Sequence, residues 1–416
     1  MVRAPLLPVA EALSRIRGAM QPVAAETVAL PDAHGRILAA PVLSRRTQPP
    51  FAMSAMDGYA VRAADLASIP ATLKLIGQAP AGTAFEGIVG PGEAVRIFTG
   101  GPVPQGADTI VIQENTEGEG EGEGEGDKVT VLKAAEPGVY IRPEGLDFRE
   151  GDCLLQAGKR LGARDIALAA AMNMPWLPVR RRPRIALLAT GDELVRPGEP
   201  IGPQQIVTSN NLGLAGIIAR AGGEPIDLGI APDNREALAA MAAGARGADM
   251  LITLGGASVG DHDLVQSVLG EQGLVVDFWR IAMRPGKPLI FGHVGDTPLI
   301  GLPGNPVSAL VCGLIFVQPA IAALLDDQAQ LHARSRARLG CDLPENDERQ
   351  DYLRASLMPA APGHPLAGEL LATPFARQDS SMLSALARAD CLVIRPPHAP
   401  QAKAGDWVDI LELNAL

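Results

Sequence analysis

Aromatic residues are scarce, only 3% of the 416 residues, so any core has to be assembled from Ala, Val, Leu and Ile. Positive charge is also in deficit. The 36 Lys and Arg residues face 47 Asp and Glu, for a formal net charge of −11. That balance argues against a nucleic-acid partner, because phosphate-backbone binding needs a basic face. It leaves room for a small anion held by a local basic loop. The four cysteines, Cys153, Cys312, Cys341 and Cys391, are scattered, with no CxxC pair and no His at zinc-finger spacing. This argues against a disulfide framework and a structural zinc, and it suits a reducing compartment. Neither a Walker A loop nor a GxGxxG fingerprint is present. The opening stretch "MVRAPLLPVAEALSRIRGAM" lacks the apolar run of a signal peptide, and no 18-residue apolar span is expected later. The expectation is a soluble cytoplasmic protein of two to four domains.

What is present divides the chain by texture. Val9, Leu13, Ile16 and Met20 recur at helical spacing, which predicts an amphipathic helix over residues 8–20. Short β-rich runs such as "AVRIF" and "DTIVIQ" fill residues 28–135. The tract "EGEGEGEGEG" (117–126) among them cannot bury anything, and its Glu spacing is not that of a calcium loop, so it reads as a solvated hairpin loop. "ARDIALAAAMN" (163–173) reads as a helix. "RIALLAT", "SNNLGLAGIIARAGG", "EPIDLGI", "DNREALAAMAAGARG" and "DMLITLGG" then alternate strand and helix, which argues for a doubly wound parallel sheet over about 184–325. Ser209 or Asn210 is a natural N-cap of the first of those helices, with Gly222 past its end. "DCLVIRPP" and "DWVDILEL" mark a small terminal β domain. The expected division is a helical and linking domain from 1–27 and 136–178, a β-rich domain over 28–135, the α/β domain over 179–328 and the β domain over 329–416.

In open α/β sheets, ligands bind beyond the carboxyl ends of the strands. Four loops fall there: "ATGDEL" (189–194), "APDNRE" (231–236), "GGASVGDHDL" (255–264) and "LPGNPVS" (302–308). Asp192, Glu193, Asp233 and Asp261 would repel a phosphate directly, but they can hold a divalent cation that bridges phosphates. The glycines of the third loop would let backbone approach a phosphate. "RIAMRPGKP" (280–288) offers Arg280, Arg284 and Lys287 as oxyanion donors on a Pro-Gly turn, and Ser308 lies in the first turn of a helix. Outside the sheet, "PPFAMSAMDGYAV" (49–61) presents Ser54 and Asp57, and "IFTGGPVPQGADTIV" (97–111) presents Thr99. Each loop alone has a plainer explanation as a helix cap, a tight turn or a solvated loop. Four of them at one edge of a single sheet point to a ligand.

"SAMDGYA", "FTGGPVPQGADTIV", "ATGDEL", "GGASVGDHD", "MRPGKPL" and "GLPGNPVSA" occur in the order and at about the separations of the molybdopterin molybdenumtransferase (MoeA) family, which is related to the E domain of gephyrin. The chain resembles that family over nearly its whole length. The resemblance implies insertion of molybdate into the dithiolene of adenylylated molybdopterin, with release of AMP and dependence on Mg2+. It implies a multidomain α/β plus β protein. Its doubly wound sheet would be a molybdopterin-binding fold, flanked by an N-terminal helical and β region and a C-terminal small β-barrel domain. A homodimer is implied too, with the Asp57 and Thr99 loops facing the partner's sheet domain, and so is transient contact with other cofactor-synthesis proteins and apo-molybdoenzymes.

Carried over position by position, Asp57, Thr99, Glu193, Asp233 and Asp261 match catalytic positions. Asp192, Glu193, Asp233 and Asp261 match metal positions. Gly255, Gly256, Ser258, Gly260, Arg284, Lys287, Asn305, Ser308, Arg354 in "DYLRAS" and Ser380 or Ser381 in "RQDSSMLSAL" match substrate-binding positions. No cysteine is nominated, because the substrate's own sulfurs attack molybdenum. Arg284 stands where the family often has Lys, His262 departs at a minor position, and the Glu-Gly tract is peculiar to this chain. Two alternatives stay open: an adenylyltransferase, which would leave the Asp57 and Thr99 loops without a job, and a carrier or scaffold, which would need a peptide-binding surface.

Overall fold

The structure is a computed structural model that describes residues 6–118, 127–255, 264–328 and 335–413. At its centre is a six-stranded sheet in the order Glu224–Ala231, Arg184–Thr190, Met250–Leu254, Thr297–Leu302, Pro288–Val294, Leu274–Arg280. The first four strands pair in parallel, and the last two continue the sheet antiparallel. Arg184–Thr190 and Met250–Leu254 are buried along nearly their whole lengths, which is why their sequences run apolar without alternation. Helix Asn210–Ala221 covers one face, follows Ser209 and stops at Gly222, whose φ of 98° suits a residue without Cβ. Helix Arg235–Ala242 covers the other, and the Asn234 side chain accepts the Ala237 N–H at 2.8 Å as its cap.

Helix Val9–Ala19 buries Val9, Ala12 and Ile16 in the same core as Leu214, Ile218 and the segment Pro306–Leu324. That segment corrects one expectation. It is 19 residues long and apolar enough to cross a membrane by length and composition, although the sequence was expected to hold no such span. The reason lies in packing. It is 89% buried inside the protein, against the sheet, the N-terminal helix and barrel residues Tyr352 and Leu392. A helix enclosed on every side has no polar face to show.

The N-terminal half holds two smaller units. Strand Ala25–Ala29 pairs antiparallel with Trp176–Arg180 and, with helix Ala163–Ala171, encloses a core around Leu38, Leu155 and Met172. A six-stranded sheet runs from Gly58–Val61 to Lys128–Val131. In it, Thr116–Glu117 pairs antiparallel with Lys128–Val131 across the Glu-Gly tract, of which residues 119–126 lie outside the described residues. At the other end, Gln350–Pro359, Leu370–Pro374, Ser335–Leu339, Trp407–Glu412 and Cys391–Arg395 close into a barrel, because the first strand also pairs with the last. Met283–Arg284 runs parallel to Gln350–Asp351, so the Pro-Gly turn of the sheet domain is fastened to the barrel edge.

Candidate functional site

The carboxyl ends of the parallel strands bring three acids to one edge. The backbone N–H of Asp233 donates to Asp192 Oδ1 at 2.9 Å, and both residues are exposed. Gly191 has φ 138°, and a Cβ there would meet Glu193 Oε2 at 2.4 Å. Only glycine therefore allows the Glu193 carboxylate to fold back over this turn. Gly255, at φ 90°, lies against the Thr190 carbonyl, and Asn210 Nδ2 donates to the Gly304 carbonyl at 2.7 Å, which holds Gly255 and the fourth loop at the same edge. Gly256, Ser258, Gly260 and Asp261 lie outside the described residues. Among the described residues no three metal-ligating side chains converge. Asp192, Glu193 and Asp233 do fit the way Mg2+ is commonly held, through one or two carboxylates together with substrate phosphates and water.

A second group forms where the barrel meets the helix that starts at Pro306. Arg354 is 1% exposed, and among the described residues its Nε, Nη1 and Nη2 have no hydrogen-bond partner. A buried guanidinium without acceptors is costly, and an anion or water reaching it would relieve that cost. Its backbone is fixed by the Gln378 amide, which accepts the Arg354 N–H at 3.0 Å and donates to the Arg354 carbonyl at 3.0 Å and the Phe375 carbonyl at 2.8 Å. Burial lowers the Arg354 pKa, and the charge of Asp379 opposes that shift. Asp379 is itself held below the usual carboxylate range by the Ser381 hydroxyl and N–H. Ser380 seats on the helix, its carbonyl accepting from the Val307 N–H at 3.1 Å and its Oγ from Asn305 Nδ2 at 3.0 Å. Ser308 is buried in that first turn. Asn305, Ser308 and Ser380 thus lie together at the start of this helix.

The Pro-Gly turn behaves differently from expectation. Gly286, at φ 109°, packs so closely on the helix that a Cβ would lie 2.4 Å from Cys312 Sγ. Arg284, expected to serve an oxyanion, is already occupied. Its guanidinium forms a two-pronged pair with Asp351, with Nε to Oδ1 at 2.8 Å, and reaches Asp347 and Asn346 at 3.3 Å. The physical reason is the strand pairing that sets Arg284 beside Asp351. Lys287 is exposed and makes no ion pair among the described residues, so it is the freer cation of the turn. Arg280, the third expected donor, lies over the Trp279 ring at 4.4 Å.

Asp57 and Thr99 form their own pair. Asp57 Oδ1 accepts the Thr99 N–H at 2.6 Å and the Thr99 hydroxyl at 2.8 Å. These two bonds, the backbone one first, pull the Asp57 pKa below its ordinary value. Among the described residues, no hydrogen bond or ion pair joins this pair to the sheet-domain loops or to Arg354 within the chain. Ser54 beside it is buried and donates to the Met56 carbonyl, a turn-forming role. Sequence reasoning passed over Gln378, Asp379 and Asp351. The first two directly precede Ser380 in "RQDSS", but their roles depend on barrel pairings that local sequence does not show.

Fold and site define a class: a multidomain protein whose doubly wound sheet presents acids beside a barrel that presents a buried cation. Three family models tile the chain. The MoeA N-terminal region (domain I and II) matches residues 7–173, the probable molybdopterin binding domain residues 186–323, and the MoeA C-terminal region (domain IV) residues 336–413. The molybdopterin molybdenumtransferase of Haemophilus influenzae is 34% identical over 397 residues, covering 95% of each chain. That of Bacillus subtilis is 34% identical over 410 residues, covering 97% of this chain and 94% of its own. A solved molybdopterin biosynthesis MoeA protein from Pyrococcus horikosii superposes with a TM-score of 0.83 at 31% identity, over 98% of this chain and 99% of that one. The chain belongs to the molybdopterin molybdenumtransferase (MoeA) family.

Proposed function

We propose that this protein is a molybdenum insertase, which transfers molybdate into adenylylated molybdopterin and releases AMP. The buried guanidinium of Arg354, without a hydrogen-bond partner among the described residues, carries this reading, because an oxyanion would complete it. Molybdate is a compact dianion. Arg354 and Lys287 would supply its charge, and Ser308 and Ser380 hydroxyls would supply neutral donors. Arg284 shapes the turn through Asp351 and leaves the dianion to Lys287. Asp192, Glu193 and Asp233, with Asp261, would hold Mg2+, which would offset the charge of the substrate's pyrophosphate. The glycine-lined loop that begins at Gly255 would receive the pterin phosphate.

Asp57 stays ionised at neutral pH and orients Thr99. Among the described residues no hydrogen bond or ion pair links this pair to the sheet-domain loops of its own chain, and the reading assigns it to the cleft of a partner copy in a homodimer. The net charge of −11 and the scattered thiols suit a cytoplasmic enzyme that passes its product to apo-molybdoenzymes. Subunit mixing tests the composite cleft. Asp57→Ala and Lys287→Ala chains, each inactive alone, should regain cofactor synthesis when co-assembled, because one of the two clefts is then intact. No recovery in verified mixed dimers would place both residues in a cleft formed by a single chain.

A further inference from the structure

Away from the reaction loops, a cavity of about 200 Å3 opens between the N-terminal region and the sheet domain. Five basic side chains line it: His34, Arg36, Arg160, Arg182 and Arg220. Arg182 precedes the strand Arg184–Thr190, and Arg220 lies in the last turn of the helix Asn210–Ala221. Both therefore sit at the end of the sheet opposite the acid-bearing loops. The strand's seven residues set the two ends about 20 Å apart, at roughly 3.3 Å per residue.

Two of the basic side chains, Arg36 and Arg160, are held in place. Arg160 Nε and Nη2 hold Asp327 at 3.1 and 2.8 Å, Nη1 donates to the Gly35 carbonyl at 3.1 Å, and Nη2 donates to the Ala221 carbonyl at 3.1 Å. Arg36 pairs with Glu26 and donates to the Arg180 carbonyl at 2.8 Å. Each of these guanidiniums has one carboxylate to answer it. Arg182 is exposed and makes no ion pair among the described residues, so the wall keeps an excess of positive charge. That excess sits in a chain of net charge −11, where scattered surface charge would run the other way. The fixed Arg36 and Arg160 lose little on ordering when an anion enters, and the exposed Arg182 and Arg220 can close on it. The volume is below the ~300 Å3 at which drug-sized ligand pockets begin, which favours a small anion over a nucleotide or pterin.

We propose that this cavity is a second anion site, which takes a small multivalent oxyanion of the phosphate or pyrophosphate type. The inference is independent of the reaction assigned to the other edge of the sheet. The test is calorimetric titration of inorganic pyrophosphate into the full-length protein at low salt, in a Lys287→Ala background that weakens oxyanion binding at the reaction site. Binding should persist in that background, and adding Arg182→Gln and Arg220→Gln should weaken it at least tenfold. Restoring charge with Arg182→Lys and Arg220→Lys should recover most of the affinity, and unchanged thermal melting of the Gln variants shows that they fold. Two results overturn the proposal: no pyrophosphate binding in the Lys287→Ala protein, or equal affinity with and without the two Gln substitutions.

Discussion

Replacing Arg354 with Met separates a ligand-binding guanidinium from a structural one. The side chain is buried and its three nitrogens lack partners among the described residues, while the Gln378 bonds that fix the strand use only the backbone of Arg354. Methionine keeps most of the volume and leaves those bonds intact. An unsatisfied buried charged group costs about 1–3 kcal/mol or more, and replacing buried charge by well-packed apolar groups is often neutral or stabilising. Without oxyanion, Arg354→Met should therefore unfold no earlier than the wild type, and up to about 2 kcal/mol later. With molybdate the order should reverse. A ligand at about 100 times its Kd adds about 2.7 kcal/mol to the native state, or roughly 5–10 °C in Tm at 2–4 °C per kcal/mol. The wild type should gain this and the variant should not. Thermal melts of both proteins with and without molybdate decide the matter. A variant that melts well below the wild type without anion, yet gains as much from molybdate, would refute the reasoning and make Arg354 a structural residue.

Gly286→Ala should destabilise by about 1–3 kcal/mol, because it combines a positive φ with a contact 2.4 Å from Cys312 Sγ. Adding Cys312→Ala should recover part of the loss in urea unfolding, and strictly additive losses would contradict that contact. Asp347 titrates at about 2 against an ordinary 3.8, chiefly through its hydrogen bond from Arg349, with the charge of Arg284 adding to the shift. Because the folded pKa is depressed, its contribution is present above about pH 4 and fades as pH falls from about 4 to 2. Asp347→Asn should lower the urea midpoint at neutral pH and flatten its decline over that window, and parallel profiles would exclude the contribution. Asp57→Asn should cut turnover about a hundredfold with unchanged melting, since the pair it makes with Thr99 is exposed and outside the core. Wild-type turnover in that variant would remove Asp57 from the site.

What could be read from sequence followed from local physics. The spacing of Val9, Leu13 and Ile16 predicts a helix found at Val9–Ala19, and "RIALLAT" and "MLITL" are strands because only a sheet covered on both faces tolerates such unbroken apolar runs. The apolar character of 306–324 is masked in the sequence, since Ser308, Gln318 and Pro319 interrupt it while all three lie within a helix enclosed by neighbours. The antiparallel turn of the sheet at Pro288–Val294 also depends on pairing rather than on composition. In the site, the loops at the strand ends could be named because topology dictates where ligands go. The capture of Arg284 by Asp351 could not, since 67 residues separate them and a barrel strand brings them together. The solitary state of the Arg354 guanidinium was equally hidden, because a sequence names a charge and says nothing of its partners.

The central claim is that the protein transfers molybdate. Its most direct test is AMP release by the purified protein, supplied with adenylylated molybdopterin and Mg2+, with and without molybdate. The account predicts AMP release that depends on molybdate, together with a product that activates an apo-molybdoenzyme. Tight binding of the adenylylated substrate with no AMP released at saturating molybdate would contradict it and indicate a carrier. Consumption of ATP with free molybdopterin would instead indicate an adenylyltransferase.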